Sequence, residues 1–258
     1  MTDNPFESGY VEPVRDDTIF AELGREPRAS AKGVTYHRDL IQGTDEWLQQ
    51  RCGLLTASEM KHILTAKTLK LADNDKTRAH IWELLFQRLT GYVEPQYISD
   101  DMLRGRDDEI EARIQYAKHF APVTEVGFIT NDQWGFTIGY SPDGLVGDDG
   151  LIECKSRRGK YQIQTIAENE VPDEYALQLQ TGLLVTGRKW IDFISYSGGL
   201  PMFVKRVEPD PVMQAAIEAA AIDFEARVAA KERDYRATIA GMSKVIETER
   251  RVEQEMFL

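Results

Sequence analysis

The chain has 258 residues, of which 42% are hydrophobic, so it is long enough to bury a sizeable core in one large domain or two small ones. The formal net charge of -12 argues against a protein that coats nucleic acid with its whole surface, because such binding rests on many Lys or Arg contacts to phosphate. Any contact with DNA must therefore be local, along one basic channel of an otherwise acidic protein.

The few cysteines and histidines exclude several kinds of site. Cys52 and Cys154 are the only cysteines, which excludes a disulfide scaffold and a four-cysteine zinc or iron-sulfur site within one chain. The four histidines show no paired ligand spacing, and we assign them no metal role. No apolar run approaches the roughly 20 residues needed to span a bilayer, and the first residues do not resemble a secretion signal. We expect a cytoplasmic protein without a membrane partner.

The first part of the chain divides into an arm and the start of a folded domain. Residues 1–33 mix Pro, Gly and charges without periodicity, which predicts a loosely ordered arm before a domain over residues 34–209. Thr44 is placed to cap a short helix that Gly53 stops. The segment Thr56-Ala57-Ser58-Glu59 has the spacing of a capping box and predicts a second helix start.

Apolar periodicity predicts the remaining elements. Ile81, Leu84, Leu85 and Leu89 mark an amphipathic helix that ends at Gly91. Further helices are predicted over residues 100–120 and 172–185. Runs of β-branched and aromatic residues predict strands over residues 123–130, 136–140, 151–155, 190–196 and 202–207.

The order of these elements predicts an α/β fold with a central mixed sheet flanked by helices. After it, residues 210–258 are rich in Ala, Glu and Arg. This composition predicts a long C-terminal helical extension that is interrupted at Gly241.

The segment from Ser141 to Lys155 is the most informative part of the chain. Glu153 and Lys155 are two apart on a predicted strand, so their side chains leave the same face. A three-residue loop at 147–149 would set Asp143 opposite Glu153. A loop one residue longer would send Asp143 to the other face, unless a bulge near Pro142 restored the register.

Two carboxylates and a lysine on one face suit phosphodiester hydrolysis. Mg²⁺ binds through one or two carboxylates with water in the other positions, and Mn²⁺ is an alternative. Asp143 and Glu153 suit that role, and Lys155 can orient the attacking water or stabilise charge on the phosphate. A bare Glu-X-Lys is usually only a solvated hairpin face. The Pro142-Asp143 pair upstream and the apolar residues before Glu153 favour a nuclease.

Four ordered blocks between about residues 43 and 197 resemble one known family. The blocks are Glu46-Trp47 with residues 51–58; Gly105, Glu109 and Ala112-Arg113; residues 141–155; and Tyr175, Gln178 and Gln180 followed by the aromatic strand 190–196. In this order they resemble the phage lambda-type alkaline exonuclease family, YqaJ-like viral recombinases within the PD-(D/E)XK nuclease superfamily. The resemblance implies the PD-(D/E)XK nuclease core as the fold.

The resemblance also assigns roles to the matching positions. It implies metal binding by Asp143, Glu153, Glu109 and the Cys154 carbonyl, and catalytic roles for Lys155 and for Gln180, with Gln178 beside it. Without it, Glu109 would pass for a surface residue among other acidic side chains.

Arg51, Ser58 and Ser141 match the positions by which that family grips a 5′-terminal phosphate. The physics agrees for the first two, since Arg offers a forked donor and a helix start at Thr56 presents free N–H groups. Taken alone, Thr56 and Ser58 would more often be helix caps. The basic run that starts at Arg157 could track the DNA backbone.

The expected activity is a metal-dependent 5′-to-3′ exonuclease that degrades one strand of linear double-stranded DNA and leaves 3′ single-stranded overhangs for phage-type recombination. The resemblance further implies a homotrimeric ring and a single-strand annealing protein as partner. Two other readings stay open. One is another PD-(D/E)XK nuclease, of the restriction endonuclease or RecB-type repair class, and the other is a catalytically inactive binding module.

Overall fold

A computed structural model describes residues 33–95 and 99–250 of the chain. The predicted arm over residues 1–33 lies outside the described residues except for Gly33, as does the end of the predicted extension, residues 251–258. In the described part, no helix is both long and apolar enough to cross a membrane.

Ten strands and six α-helices make up the described part of the chain. The strands are β1 (Val34–His37), β2 (Leu55–Thr56), β3 (Leu64–Thr65), β4 (Lys70–Leu71), β5 (Phe128–Asn131), β6 (Ile138–Tyr140), β7 (Gly144–Val146), β8 (Gly150–Ser156), β9 (Trp190–Tyr196) and β10 (Phe203–Val207). The helices are α1 (Asp45–Arg51), α2 (Asp75–Thr90), α3 (Asp100–His119), α4 (Gly159–Glu168), α5 (Asp173–Thr186) and α6 (Pro211–Gly241), with a 3₁₀ helix at Ala57–His62.

The predicted α/β fold with mixed sheets flanked by helices is confirmed, and its strands form two four-stranded mixed sheets where the sequence predicts one. The first has the order β1-β5-β6-β2 and the second β10-β9-β8-β7, while β3 and β4 form a separate pair. Each four-stranded sheet contains one parallel pair, β2 with β6 and β8 with β9. The chain leaves the first sheet after Tyr140, because Pro142 has no N–H group with which to continue a ladder.

The helix starts and stops agree closely with the sequence signals. The Thr44 side chain accepts a hydrogen bond from the Trp47 N–H group and caps α1. The predicted start at Thr56 opens a short 3₁₀ helix, in which Glu59 accepts from the Thr56 N–H group at 2.8 Å. Helix α2 ends at Gly91, which is left-handed with φ 63°. The strands β1, β2, β3, β4 and β7 and the helix α4 were not predicted, since their short or mixed apolar patterns carry little period.

The C-terminal helix begins at Pro211 and ends at Gly241, as the sequence predicts. Ile217, Phe224 and Val228 are fully buried in the main core together with residues of α2 and α5. This helix therefore closes one side of the core, and the domain boundary at residue 210 stays a prediction.

Strand β8 separates two apolar clusters and so positions the site. Ile152 and Cys154 belong to a smaller cluster with Ala112 and Tyr116 of α3. The alternate residues Leu151 and Glu153 point to the other face, because successive side chains of a strand point to opposite faces. That face is covered by α5.

Candidate active site

The hairpin of β7 and β8 fixes where Asp143 lies. Its pairs run from Gly144 with Ile152 to Val146 with Gly150, which leaves a three-residue loop at 147–149 that opens on Gly147 with φ 52°. Continuing this register by one residue places Asp143 opposite Glu153. The Asp143 N–H group donates to the Ile152 carbonyl at 3.2 Å. Of the two loop lengths that the sequence left open, the structure has the three-residue loop.

The Glu153 carboxylate is held by three donors. Its side chain is 2% exposed. Oε1 accepts from Lys155 Nζ at 2.7 Å and from Gln178 Nε2 at 2.5 Å. Oε2 accepts from the Tyr140 hydroxyl at 2.7 Å. Lys155 therefore lies on the same face as Glu153, as the two-residue spacing predicts.

The Asp143 carboxylate faces the same point from the neighbouring strand. Its Oδ2 accepts from the Cys154 N–H group at 2.5 Å, so Cys154 presents its backbone to Asp143. The Cys154 thiol lies in the smaller cluster on the other face, where burial raises its pKa.

Burial and the closeness of several carboxylates together raise the carboxyl pKa values of this centre. Burial raises the pKa of Asp143, and the negative charges of Glu153 and Glu109 raise it further. The pKa of Glu109 is raised by burial and by Glu153, against the opposing effect of Lys155. Burial lowers the pKa of Lys155, but the surrounding carboxylates outweigh that effect and leave it above its usual value. Three carboxylates thus face one ammonium group.

This donor set fits a hard divalent cation. Within residues 33–95 and 99–250, no group of three or more His, Cys, Asp or Glu side chains is arranged as a ready ligand cluster. Asp143 and Glu153 instead offer oxygen ligands from two paired strands, and Mg²⁺ usually takes only one or two carboxylates with waters completing its octahedron. A cation would also offset the excess negative charge.

The predicted phosphate-binding residues come together in a second cluster. Arg51 donates to the Ser141 hydroxyl at 3.4 Å and to the Thr56 hydroxyl at 3.5 Å. The Thr56 and Ser58 hydroxyls are 3.3 Å apart, and Ser58 is exposed. We call Arg51, Thr56, Ser58 and Ser141 the hydroxyl cluster. It joins three separate segments of the chain around one guanidinium group.

Aromatic rings hold that guanidinium group in place. The Arg51 Cζ atom lies 4.2 Å from the centroid of the Trp47 ring and 5.7 Å from that of Phe128. Trp47 Nε1 also donates to the Ser141 hydroxyl at 3.0 Å. Burial lowers the pKa of Arg51, although the guanidinium remains charged at any ordinary pH.

The structure places Gln180 away from this centre. Its amide donates to the Glu208 carbonyl at 2.8 Å and accepts from the Asp210 N–H group at 2.8 Å, so it anchors the start of α6. Gln178 and Gln180 are two residues apart on α5, which is about 200° of helix rotation. Gln178, and not Gln180, contacts Glu153 in this structure. The catalytic role of Gln180 stays a prediction that no contact with Glu153 supports.

Arg157 is also engaged elsewhere. It donates to Glu174 at 2.5 Å and to the Tyr175 hydroxyl at 2.8 Å, beside a cavity of about 450 Å³ between α4 and α5. Its charge is thus already paired with a carboxylate. A role in tracking the DNA backbone would require that pair to open.

The sequence alone did not predict a role for two residues near the centre. Tyr140 contacts Glu153 from the end of β6, and Arg113 donates to the Asp143 carbonyl at 3.4 Å while pairing with Glu125 at 3.2 Å. Arg113 stands in a block that carries the family resemblance, and that was the available signal. For Tyr140 the signal was only its place at the end of a predicted strand, three residues before Asp143.

The chain matches the YqaJ-like viral recombinase domain over residues 46–189. LHK-Exo, an alkaline exonuclease from Laribacter hongkongensis, is 36% identical; the match covers 76% of this chain and 98% of that one, with a TM-score of 0.67. LHK-Exo in complex with dAMP matches over the same shares, with a TM-score of 0.68. A search of curated proteins found no match. The chain therefore belongs to the YqaJ-like viral recombinase domain family, and it is a nuclease.

Proposed function

We propose that this protein is a metal-dependent 5′-to-3′ exonuclease that degrades one strand of linear double-stranded DNA and leaves a 3′ single-stranded overhang. The observation that carries this proposal is the closeness of the acidic pair to the hydroxyl cluster. Ser141 of that cluster and Asp143 are two residues apart, so their Cα atoms are separated by at most about 7 Å. A strand end held at Ser141 thus lies beside the carboxylates.

Asp143 and Glu153 would hold a Mg²⁺ ion, or Mn²⁺, with the Cys154 carbonyl and Glu109 as further oxygen ligands. When bound, the cation supplies Lewis-acid chemistry at the phosphoryl group and eases the deprotonation of water. Lys155 orients that water or stabilises charge that develops on the phosphate, because its ammonium group lies 2.7 Å from Glu153. Gln178 holds the Glu153 carboxylate from α5.

The hydroxyl cluster would bind the 5′-terminal phosphate. Arg51 offers a planar fork of N–H donors, and the hydroxyls of Ser58 and Ser141 can donate to the remaining oxygens. LHK-Exo is known in complex with dAMP. A site for a nucleoside monophosphate is what stepwise release of single nucleotides requires, and this supports an exonuclease.

We place this activity in phage-type DNA recombination, in keeping with the viral recombinase family. We further propose that the protein acts as a homotrimeric ring with a single-strand annealing protein as partner. The net charge of -12 is compatible with a ring, since a protein that encloses DNA needs fewer basic contacts than one that relies on counterion release. Light scattering of the purified protein should give the mass of three chains; a monomer would contradict the ring.

The decisive experiment compares linear duplex with covalently closed circular DNA. With Mg²⁺ we expect the linear duplex to be degraded and the circle to survive, and a chelator should stop the reaction. Cleavage of the circle would favour the competing reading, a restriction-type or RecB-type PD-(D/E)XK nuclease. Failure to cleave either substrate with any divalent cation would favour the third reading, a catalytically inactive binding module.

A further inference from the structure

One carboxylate oxygen of Glu153 accepts a hydrogen bond from a buried tyrosine. Tyr140 is 1% exposed, and its hydroxyl donates to Glu153 Oε2 at 2.7 Å. The other oxygen, Oε1, faces Lys155 and Gln178. The Tyr140 hydrogen bond therefore decides which oxygen of the carboxylate is turned into the core and which is turned toward the site.

The ring of Tyr140 is accommodated by a glycine in the helix above it. Gly182 lies inside α5, where glycine is a poor helix former. A Cβ atom at this position would approach two ring carbons of Tyr140 to 2.7 Å, closer than real Cβ contacts come. The glycine therefore allows α5 to pack directly on the ring that carries the Glu153 hydrogen bond.

We propose that Tyr140 is a positioning residue for Glu153, and that Gly182 provides the space that keeps Tyr140 in place. The proposal rests on the proposed role of Glu153 in holding the cation. A carboxylate ligand must present one oxygen in a fixed direction, and the hydrogen bond that fixes it commonly affects metal affinity or activity by about 10- to 100-fold. Tyr140 touches neither cation nor substrate and acts through Glu153.

The chain contains a matched control for this hydrogen bond. Tyr116 is also 1% exposed, and its hydroxyl donates at 2.6 Å to Asp192, a carboxylate that is 3% exposed. This second pair lies in the smaller cluster, on the face of β8 away from Glu153. Tyr140→Phe and Tyr116→Phe thus remove the same atom from equally buried rings, each bonded to a buried carboxylate.

The test measures the Mg²⁺ concentration for half-maximal cleavage of linear duplex, together with the melting temperature without metal and Mn²⁺ binding by calorimetry. Both variants should melt below the parent, because each removes a hydrogen bond to a buried carboxylate. Asp192 Oδ2 keeps a second donor, Arg206, at 2.9 Å. Only Tyr140→Phe should raise the half-saturating Mg²⁺ concentration and the Mn²⁺ dissociation constant, by about 10-fold. Parental metal dependence in Tyr140→Phe, or an equal shift in Tyr116→Phe, would overturn the proposal.

A second pair of variants tests the role of Gly182. Gly182→Ala should shift the metal dependence in the same direction, and it should add little when Tyr140→Phe is already present, since both act on one hydrogen bond. Fully additive shifts would contradict the shared mechanism. If Gly182→Ala does not fold, the two tyrosine variants still decide.

Different results would contradict the proposed function and this inference. A parent protein that cleaves no DNA would contradict the nuclease mechanism, and the Mn²⁺ titration would then still show whether Tyr140 positions a ligand.

Discussion

The acidic centre and the hydroxyl cluster are adjacent in space but built in different ways. Glu153 stands on β8 and Asp143 immediately before the paired strand β7, and the hydrogen bonds of their carboxylates measure 2.5 to 2.7 Å. The hydroxyl cluster joins α1, the start of the 3₁₀ helix and the segment after β6, and the Arg51 contacts with its hydroxyls measure 3.4 and 3.5 Å. Backbone register fixes the positions of the residues in the acidic centre, whereas the hydroxyl cluster is held together by side-chain contacts alone.

This difference suits the two sites to different tasks. A centre that must place a cation and water within a fraction of an ångström benefits from rigid strands. A site for a phosphate needs donors that are not yet strongly engaged, because each strong internal bond would have to break on binding. The long contacts of Arg51 are of that kind.

Removing a carboxylate of the acidic centre should have the largest effect. Glu153→Gln or Asp143→Asn removes one charge and little volume, so we expect cleavage to fall by at least about 100- to 1000-fold, while the protein stays folded and binds DNA. A cleavage assay with a parallel DNA-binding titration measures both quantities. Turnover near the parental rate in both variants would remove these residues from the metal site.

Removing the lysine should separate catalysis from cation binding. Lys155→Ala should slow cleavage by about 100-fold without raising the half-saturating Mg²⁺ concentration. Its proposed target is water or phosphate, and its ammonium group competes with the cation for Glu153 Oε1. The matched control is Lys189→Ala, which breaks an exposed ion pair with Asp149. If Lys155→Ala cleaves at the parental rate, the lysine takes no part in the mechanism.

The hydroxyl cluster should affect only substrates with a 5′ phosphate. Arg51→Ala should slow degradation of such a duplex by about 10- to 100-fold, which corresponds to the roughly 1.5 to 3 kcal/mol of a charge-assisted hydrogen bond. Degradation of a 5′-hydroxyl duplex should change little. Arg78→Ala, at an exposed pair with Asp75, is the control. An Arg51→Ala protein that keeps the full preference for phosphate would contradict the assignment.

The smallest expected effect is on stability without metal. Because the folded-state pKa of Asp143 is raised, this carboxyl contributes stability that is present below its unfolded pKa and is lost as the pH rises through the folded pKa. The parent should therefore lose stability over that window, and Asp143→Asn should be the more stable protein at its alkaline end. Denaturant unfolding across pH tests this, and added Mg²⁺ should favour the parent. A parent that is more stable than Asp143→Asn at alkaline pH without metal would contradict the predicted loss of stability with rising pH.

The acidic centre was largely predictable because its signals are local. The two-residue spacing of Glu153 and Lys155 places both on one face of a strand, and the short turn before Gly150 allows Asp143 to face them. The helix cap at Thr44 likewise follows from neighbouring residues. Where a side chain and its partner lie within about a dozen residues, periodicity and turn chemistry are sufficient.

Contacts between distant segments were not predictable from periodicity or spacing. Which glutamine of α5 reaches Glu153 depends on how that helix is rotated against the sheet, and the sequence favoured Gln180 over Gln178. The split into two sheets depends on how the chain leaves the first sheet at Pro142. The burial of α6 depends on the shape of the core, since an alanine-rich helix carries a weak apolar pattern.

One measurement tests the central claim most directly. A linear duplex is prepared with a 5′ phosphate at one end and a 5′ hydroxyl at the other, and each 3′ end carries a different label. With Mg²⁺, the strand that bears the 5′ phosphate should be shortened first, while its own 3′ label stays on the shrinking fragment and the other strand remains full length. Equal shortening of both strands, or early loss of the 3′ labels, would contradict a 5′-phosphate-directed exonuclease.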